Sequence, residues 1–157
     1  MGSIVKQFRV LCLVSALTTF ANTKTLGAAD TFAAAKLTKK EITQLIPVLQ
    51  QLAYDIPDSW NTELRAWRVD LGNRPGLVLE GTNLLCGGTG NCQIFVFRNV
   101  NEQWVSLFQA EAPIGDTFTF GPDTTNGIKD LNVASNQSAQ TEHRARYRFD
   151  GQFYRSK

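Results

Sequence analysis

The sequence predicts an α+β fold in which an N-terminal helix packs on a mainly antiparallel sheet of about seven or eight short strands, after a cleaved signal peptide. Three observations predict this fold class. The chain begins with basic residues that are followed by an uncharged, largely apolar stretch. One later segment carries apolar residues at helical spacing. The segments after it alternate apolar and polar residues and are separated by clusters of turn-forming residues.

The first segment has the three parts of a secretion leader. Lys6 and Arg9 supply positive charge, and residues 10–20 contain no charged side chain. This stretch is shorter than the roughly 20 apolar residues of a spanning helix, so we predict no membrane span after cleavage. Small residues permit cleavage after Ala21 or after Ala29, and the mature chain would be exported to the periplasm or the extracellular space. A buried N-terminal helix and an uncleaved anchor are the alternatives.

Removal of the leader changes the charge balance of the chain. Two of the 16 Lys and Arg residues, but none of the 14 Asp and Glu residues, lie before Ala21, so the mature chain is neutral. It lacks the basic excess that is typical of nucleic-acid-binding proteins, and we predict no nucleic acid partner.

The cysteine count changes as well. Two of the three cysteines remain after cleavage, Cys86 and Cys92. In an oxidising compartment such a close pair predicts one disulfide, with two free thiols as the alternative. Two Cys and one His are too few ligands for a metal site by themselves, and we predict no metal and no cofactor.

The organisation of the chain follows from these changes in composition. The signal peptide and its cleavage region occupy residues 1–29. Residues 22–37 are rich in Ala, Thr and Lys and have weak periodicity, which indicates a flexible lead-in at 30–37 after cleavage. Residues 38–157 have the usual length of one domain and are predicted to form a single α+β unit.

The predicted helix begins with a capping box. Thr38 and Glu41 have the required spacing, and apolar residues follow at helical spacing. Pro47 lies inside this pattern, where it removes one backbone donor and crowds the preceding turn. We therefore predict one kinked helix that ends before Pro57.

The remaining segments are predicted to be strands that hairpin turns connect. Apolar runs and alternating patterns predict strands at 64–71, 77–81, 93–98, 104–109, 117–120, 128–133 and 144–149. Asp150-Gly151 is typical of a two-residue hairpin turn, after which Phe153 and Tyr154 return the chain. Antiparallel pairing of these segments would give the predicted sheet.

Three stretches resemble parts of FG-GAP-like repeats, in which an Asp-Leu pair and a turn precede an apolar strand. Residues 69–78 are the most similar, 127–133 resemble the same units more faintly, and 147–154 resemble the closing hairpin of these units. Such repeats often bind calcium through oxygen ligands in an acid-rich turn. Here only Asp70 and Asn73 could contribute ligands, so we predict no calcium site.

The most distinctive stretch is Cys-Gly-Gly-Thr-Gly-Asn-Cys, from Cys86 to Cys92. With its flanking strands, from 65 to 155, it resembles small exported bacterial proteins of unassigned function, a resemblance that implies no particular activity. Glycines allow the sharp turns that so short a disulfide ring needs. Either the disulfide has only a structural role and holds a tight turn rigid, or the loop presents Thr89 and Asn91 to a binding partner.

Three arginines alternate along one predicted strand. Arg144, Arg146 and Arg148 would therefore share one face of the sheet. This row is either a contact surface for an anionic envelope component or an acidic protein, or a solvated sheet face. Trp60, beside polar residues, is the tryptophan that we expect to be exposed for binding.

These features lead to one functional prediction and two alternatives. We predict an exported, non-enzymatic domain that binds a protein or cell-envelope component, as an inhibitor or accessory factor. The first alternative is a small secreted hydrolase that uses His143, the single histidine of the chain, with a nearby acid and serine. The second is a structural protein of the envelope.

Overall fold

The computed structural model describes residues 24–26, 30–52, 64–138 and 140–157. Within these ranges it contains one α-helix, a single turn of 3-10 helix and eleven strands. The elements are β1 (Lys24–Leu26), β2 (Asp30–Ala35), α1 (Lys39–Leu52), β3 (Leu64–Asp70), β4 (Pro75–Gly81), the 3-10 turn (Asn83–Leu85), β5 (Cys92–Val100), β6 (Gln103–Ser106), β7 (Ile114–Gly115), β8 (Thr117–Thr125), β9 (Ile128–Ser138), β10 (Thr141–Phe149) and β11 (Tyr154–Ser156).

The strands form two antiparallel sheets. The 7-stranded sheet has the order β1-β2-β3-β4-β5-β6, with β7 paired to another part of β5. The 4-stranded sheet has the order β11-β10-β9-β8. The prediction of a mainly antiparallel protein with one helix is confirmed. The number of strands and the expectation of one sheet are wrong, because the patterns that predict single strands do not reveal which strands pair.

Backbone hydrogen bonds join the two sheets. The Lys129 N–H donates to Leu71 O (3.0 Å), and the Tyr154 N–H donates to Leu107 O (2.7 Å). The Tyr154 hydroxyl donates to Lys129 O (2.6 Å), and its ring is buried between Phe108 and Phe149. Tyr154 therefore ties the C-terminal strand to both sheets.

The segment predicted as a flexible lead-in contains a strand. β2 pairs with β3 in the register Ala33↔Arg68 to Ala35↔Ala66. The Phe32 side chain is buried, with its ring centroid 5.1 Å from that of Phe118. An Ala-rich strand has little periodic pattern of its own, and its pairing with a segment far along the chain holds it in place.

The helix begins with the predicted capping box. The Thr38 N–H donates to Glu41 Oε2 (2.9 Å), and the Glu41 N–H donates to Thr38 Oγ1 (3.2 Å). Partial burial by itself raises the pKa of Glu41, but hydrogen bonds from Thr38 and then Arg68 lower this pKa overall. The helix continues through Pro47 to Leu52.

The prediction that the helix packs on the sheet is wrong. Leu45, Leu49 and Leu52 face the core and are buried, but the nearest strand is β6, at one edge of the larger sheet. At this edge Gln44 Nε2 donates to Glu102 O (3.2 Å). The apolar stripe of a helix predicts a partner surface but does not identify which strand supplies it.

The turns use side chains that the local patterns did not reveal. Asp70 Oδ1 accepts the N–H groups of Gly72 and Arg74, at 3.1 and 3.2 Å. Asp150 Oδ1 accepts those of Gln152 and Phe153, at 2.8 and 2.7 Å. Residues 150–153 connect β10 and β11, and the Asp150 N–H donates to Phe153 O (2.8 Å), so this backbone bond and the Asp150 carboxylate together close the hairpin at the predicted position.

No helix within the described ranges has the length and apolar character to cross a membrane. Of the predicted signal peptide and cleavage region, residues 1–23 and 27–29 lie outside those ranges, and so does Trp60.

Candidate functional site

A groove with both polar and apolar lining lies on the 4-stranded sheet, between β8, β9 and β10. The register aligns side chains into two cross-strand rows: Thr117, Ala134 and Arg144, and then Thr119, Asn132 and Arg146. Residues directly opposite each other on one sheet face are neighbours. The short side chain of Ala134 leaves space between the hydroxyl groups of β8 and the guanidinium groups of β10. The resulting space of about 470 Å³ is called the sheet groove below.

The arginines of β10 are held in place by carboxylates. Arg146 donates to Asp130 Oδ2 through Nε (3.0 Å) and Nη2 (2.7 Å), and Nη2 also lies 2.9 Å from Asp123 Oδ2. Arg148 Nε lies 3.3 Å from Asp130 Oδ2, and Arg144 Nε donates to Glu142. Hydrogen bonds from Nε to an acid therefore orient the guanidinium groups of Arg144 and Arg146, whereas Arg148 Nε lies near Asp130 without a hydrogen bond in the described chain.

Asp130 is the centre of this network. It is 1% exposed, and Thr125 Oγ1 donates to its second oxygen, Oδ1, at 2.7 Å. The hydrogen bond to Asp130, and then that to Asp123, raises the pKa of Arg146. A buried carboxylate is stable only when it is paired and hydrogen-bonded, and Asp130 is both.

The three arginines have three acids as partners, so the row as a whole is neutral. Within the described residues, no hydrogen bond uses Nη1 of Arg146 or either terminal nitrogen of Arg144 and Arg148. Together with the groove hydroxyls and the Asn132 amide, these groups form a set rich in donors. Such a set can bind a ligand rich in acceptor oxygens, such as carboxylates, phosphates or sugar hydroxyls.

The disulfide between Cys86 and Cys92 is present, as predicted, with an S–S distance of 1.99 Å. Inside its loop, Asn91 Nδ2 donates to Thr89 Oγ1 and to Asn136 O, both at 2.7 Å. The Asn136 N–H donates back to Asn91 Oδ1, also at 2.7 Å. Asn91 therefore fastens the loop to β9, and the exposed Thr89 is the residue of the predicted pair that faces solvent.

His143 is exposed on β10, opposite Ser135 on β9. The Ser135 hydroxyl donates to the backbone carbonyl of His143 at 3.5 Å, not to the imidazole ring. The ring makes no hydrogen bond with any side chain in the described ranges. This is not the arrangement of nucleophile, base and orienting acid that nucleophilic catalysis uses.

The sequence patterns identify the arginines of the sheet groove as candidate binding residues, but not the groove residues of β8 and β9. The patterns place Thr117 and Thr119 only on an alternating strand and give Asn132 no role, and they offer Asp130 only as an acid for the hydrolase alternative with His143. Alternation does predict that the two threonines share a face. Which strands lie beside them depends on pairing across the 4-stranded sheet, which no local pattern contains.

The turn at Asp70 is occupied by protein contacts. One carboxylate oxygen accepts two backbone N–H groups, and the other lies 3.8 Å from Lys129 Nζ. No group of three or more His, Cys, Asp or Glu side chains in the described chain is placed to hold a metal ion.

Comparison with known proteins returned no matching family model, no matching curated protein and no matching solved structure.

Proposed function

We propose that this chain is an exported, non-enzymatic domain that binds an acidic glycan of the cell envelope in the sheet groove. The observation that carries the proposal is the pair of cross-strand rows, each with a threonine hydroxyl on one wall and an arginine on the other. Ala134 and Asn132 leave room between the walls for an extended chain along β9.

Hydrogen-bond chemistry supports an acidic glycan over other ligands. Arginine forks pair with carboxylates and phosphates, while threonine and asparagine pair with sugar hydroxyls. Because three acids neutralise the arginine row, affinity would depend on short-range hydrogen bonds more than on long-range attraction. Binding should therefore weaken less with salt than binding to an unpaired basic surface.

Two further observations are consistent with the proposal. The Cys86–Cys92 disulfide is compatible with an oxidising compartment outside the cytoplasm. The exposed ring of His143, with the Ser135 hydroxyl turned to the backbone, disfavours the alternative of a hydrolase. A purely structural envelope protein would have no need of the sheet groove, and the experiment below separates that alternative.

The test is calorimetric titration of the protein with a glycerol phosphate hexamer, an oligogalacturonate and a neutral oligoglucan. We expect the two acidic ligands to bind more tightly than the neutral one. Arg144→Ala and Thr119→Val should each weaken binding at least about fivefold, since each removes one hydrogen-bonding wall of the groove.

Arg74→Ala is the matched control. Arg74 is exposed and lies in the β3–β4 turn, and its backbone N–H, not its side chain, bonds to Asp70. This variant loses the same charge and should bind like the unaltered protein. Equal losses in Arg74→Ala and Arg144→Ala would indicate general charge attraction and contradict the proposal, as would no binding of any of the three ligands.

A further inference from the structure

A second groove lies beside the disulfide, outside the sheet groove. It has a volume of about 360 Å³, and Leu84 and Ile114 stand on its rim. These two side chains are 72% and 55% exposed, more than any other large apolar side chain in the described chain. Two such residues at one groove form a local apolar surface, which on a soluble protein commonly marks a site of interaction. We call it the loop groove.

Local geometry forces Leu84 outward. The 3-10 turn Asn83–Leu85 places consecutive side chains about a third of a turn apart, so Leu84 and Leu85 cannot both face the core. Leu85 takes the inner position and packs against Gly81, where a Cβ atom would lie 2.6 Å from the Leu85 Cβ. The exposure of Leu84 is therefore a fixed property of the turn.

The walls of the loop groove are held by covalent and hydrogen-bonded links. The Cys86–Cys92 disulfide closes one side, and Asn91 ties that side to Asn136 of β9. On the other side Ile114 is paired with Gln93 across β7 and β5. A preformed groove costs less conformational entropy on binding than a mobile loop does.

The lining of the loop groove has no charge, and it contains an unused acceptor. Every lining residue is apolar or a neutral polar residue. Gln93 lies among them, and its Oε1 is buried without a hydrogen-bond partner in the described chain. Because Oε1 is buried, a peptide N–H can donate to it only after the Gln93 side chain rotates towards the groove, and that hydrogen bond would remove the cost of the unpaired acceptor. A peptide supplies both an apolar side chain and N–H donors.

We infer that the loop groove docks an extended, uncharged peptide segment of another protein, with an aliphatic or aromatic side chain held between Leu84 and Ile114. An acidic or basic segment would lose hydration there without gaining an opposite charge. A second copy of this chain is a poorer occupant, since two side chains cover far less than the roughly 800 Å² per partner of a stable dimer. This inference does not depend on glycan binding, because the two grooves share no lining residue.

The test uses acetylated and amidated pentapeptides with Leu, Phe, Ser or Glu between alanine pairs. Each is titrated into the ¹⁵N-labelled protein, and backbone amide shifts are recorded. We expect Leu and Phe peptides to shift the amides of residues 84–93 and 114, and Ser and Glu peptides to leave them unchanged. Leu84→Ser should weaken binding of the Leu peptide at least about fivefold, because burial of that side chain supplies much of the contact.

Val105→Thr is the matched control, since Val105 is 38% exposed on β6 and does not line the loop groove. It should bind the Leu peptide like the unaltered protein. Leu84 is mostly solvent-exposed, so Leu84→Ser retains the fold, and unchanged amide positions outside 84–93 would verify this. Equal shifts with Leu and Ser peptides, unaltered affinity in Leu84→Ser, or no shifts at all would overturn the inference. Dimerisation without peptide would assign the surface to a second copy and also overturn it.

Discussion

At the scale of single residues, Asp130 has the largest structural role among the charged side chains of the 4-stranded sheet. Its carboxylate is 1% exposed and accepts hydrogen bonds from Arg146 and Thr125, with Arg148 at 3.3 Å. Asp123 binds the same Nη2 of Arg146, but its side chain is 70% exposed. The two acids therefore differ mainly in burial.

We predict that Asp130→Ala lowers the free energy of unfolding by about 2–4 kcal/mol. The loss arises because two arginines and a threonine hydroxyl are left without their common partner. Asp123→Ala is the control and should cost less than about 1 kcal/mol, as is usual for exposed ion pairs. Urea denaturation of both variants measures the difference. If the free energy of unfolding fell by a similar amount in both variants, Asp130 would not be the residue that organises the arginine row.

Asp150 gives a prediction about acid stability. Backbone hydrogen bonds from Phe153 and then Gln152, followed by that from Arg155, lower the pKa of Asp150 from 3.8 to about 2. Because this pKa is lower in the folded state, the carboxylate stabilises the fold above about pH 4, and this contribution is lost as the pH falls towards 2. Asp150→Asn should therefore flatten the fall in melting temperature over this range.

The control for this measurement is Asp116→Asn. Asp116 is exposed, and its carboxylate makes no hydrogen bond within the described residues. Its replacement should leave the pH profile of the melting temperature between 4 and 2 unchanged. An unchanged profile in Asp150→Asn would mean that the loop closure at Asp150 does not contribute to acid stability.

At the scale of elements, the disulfide loop and β9 behave as one unit through Asn91. We predict that Asn91→Ala speeds hydrogen exchange of the Asn136 amide, because that N–H donates to Asn91 Oδ1 at 2.7 Å. Stability should fall by about 1–2 kcal/mol, since two backbone groups of Asn136 lose their partner. Exchange measured by NMR gives the first quantity, and urea denaturation the second.

Thr89→Ala tests whether this effect is specific to the link with β9. The Thr89 hydroxyl contacts only the Asn91 amide within the loop, and Thr89 is exposed. Its removal should leave the exchange rate of the Asn136 amide nearly unchanged. If hydrogen exchange of the Asn136 amide were accelerated to a similar extent in both variants, the cause would be a loosening of the whole loop and not the loss of the link to β9.

Several elements were predictable because their determinants are close in sequence. The capping box of Thr38 and Glu41, the β3–β4 hairpin and the disulfide all form between residues a few positions apart. β2 was not predictable in this way, because its Ala-rich segment pairs with residues more than thirty positions later. The position of the helix at the β6 edge is likewise a long-range result.

At the scale of the whole molecule, the two sheets are connected at several points along the chain. Leu71 and Leu107, which follow strands of the 7-stranded sheet, accept hydrogen bonds from residues of the 4-stranded sheet. The Asp116 N–H, between β7 and β8, donates to Ala134 O of β9 at 2.8 Å. The floor of the sheet groove is thus anchored directly to the segment where the chain passes from one sheet to the other.

By itself the sequence determined the mainly antiparallel character, the helix with its cap, the Cys86–Cys92 pairing and the shared face of the three arginines. Each depends on spacing along the chain, which local backbone geometry converts directly into position. Only the tertiary structure decided the division into two sheets, the acids opposite the arginines, the sheet groove and the exposure of Leu84 beside Ile114. These features depend on cross-strand register and on competition for the core, which involve residues distant in sequence and have no local pattern.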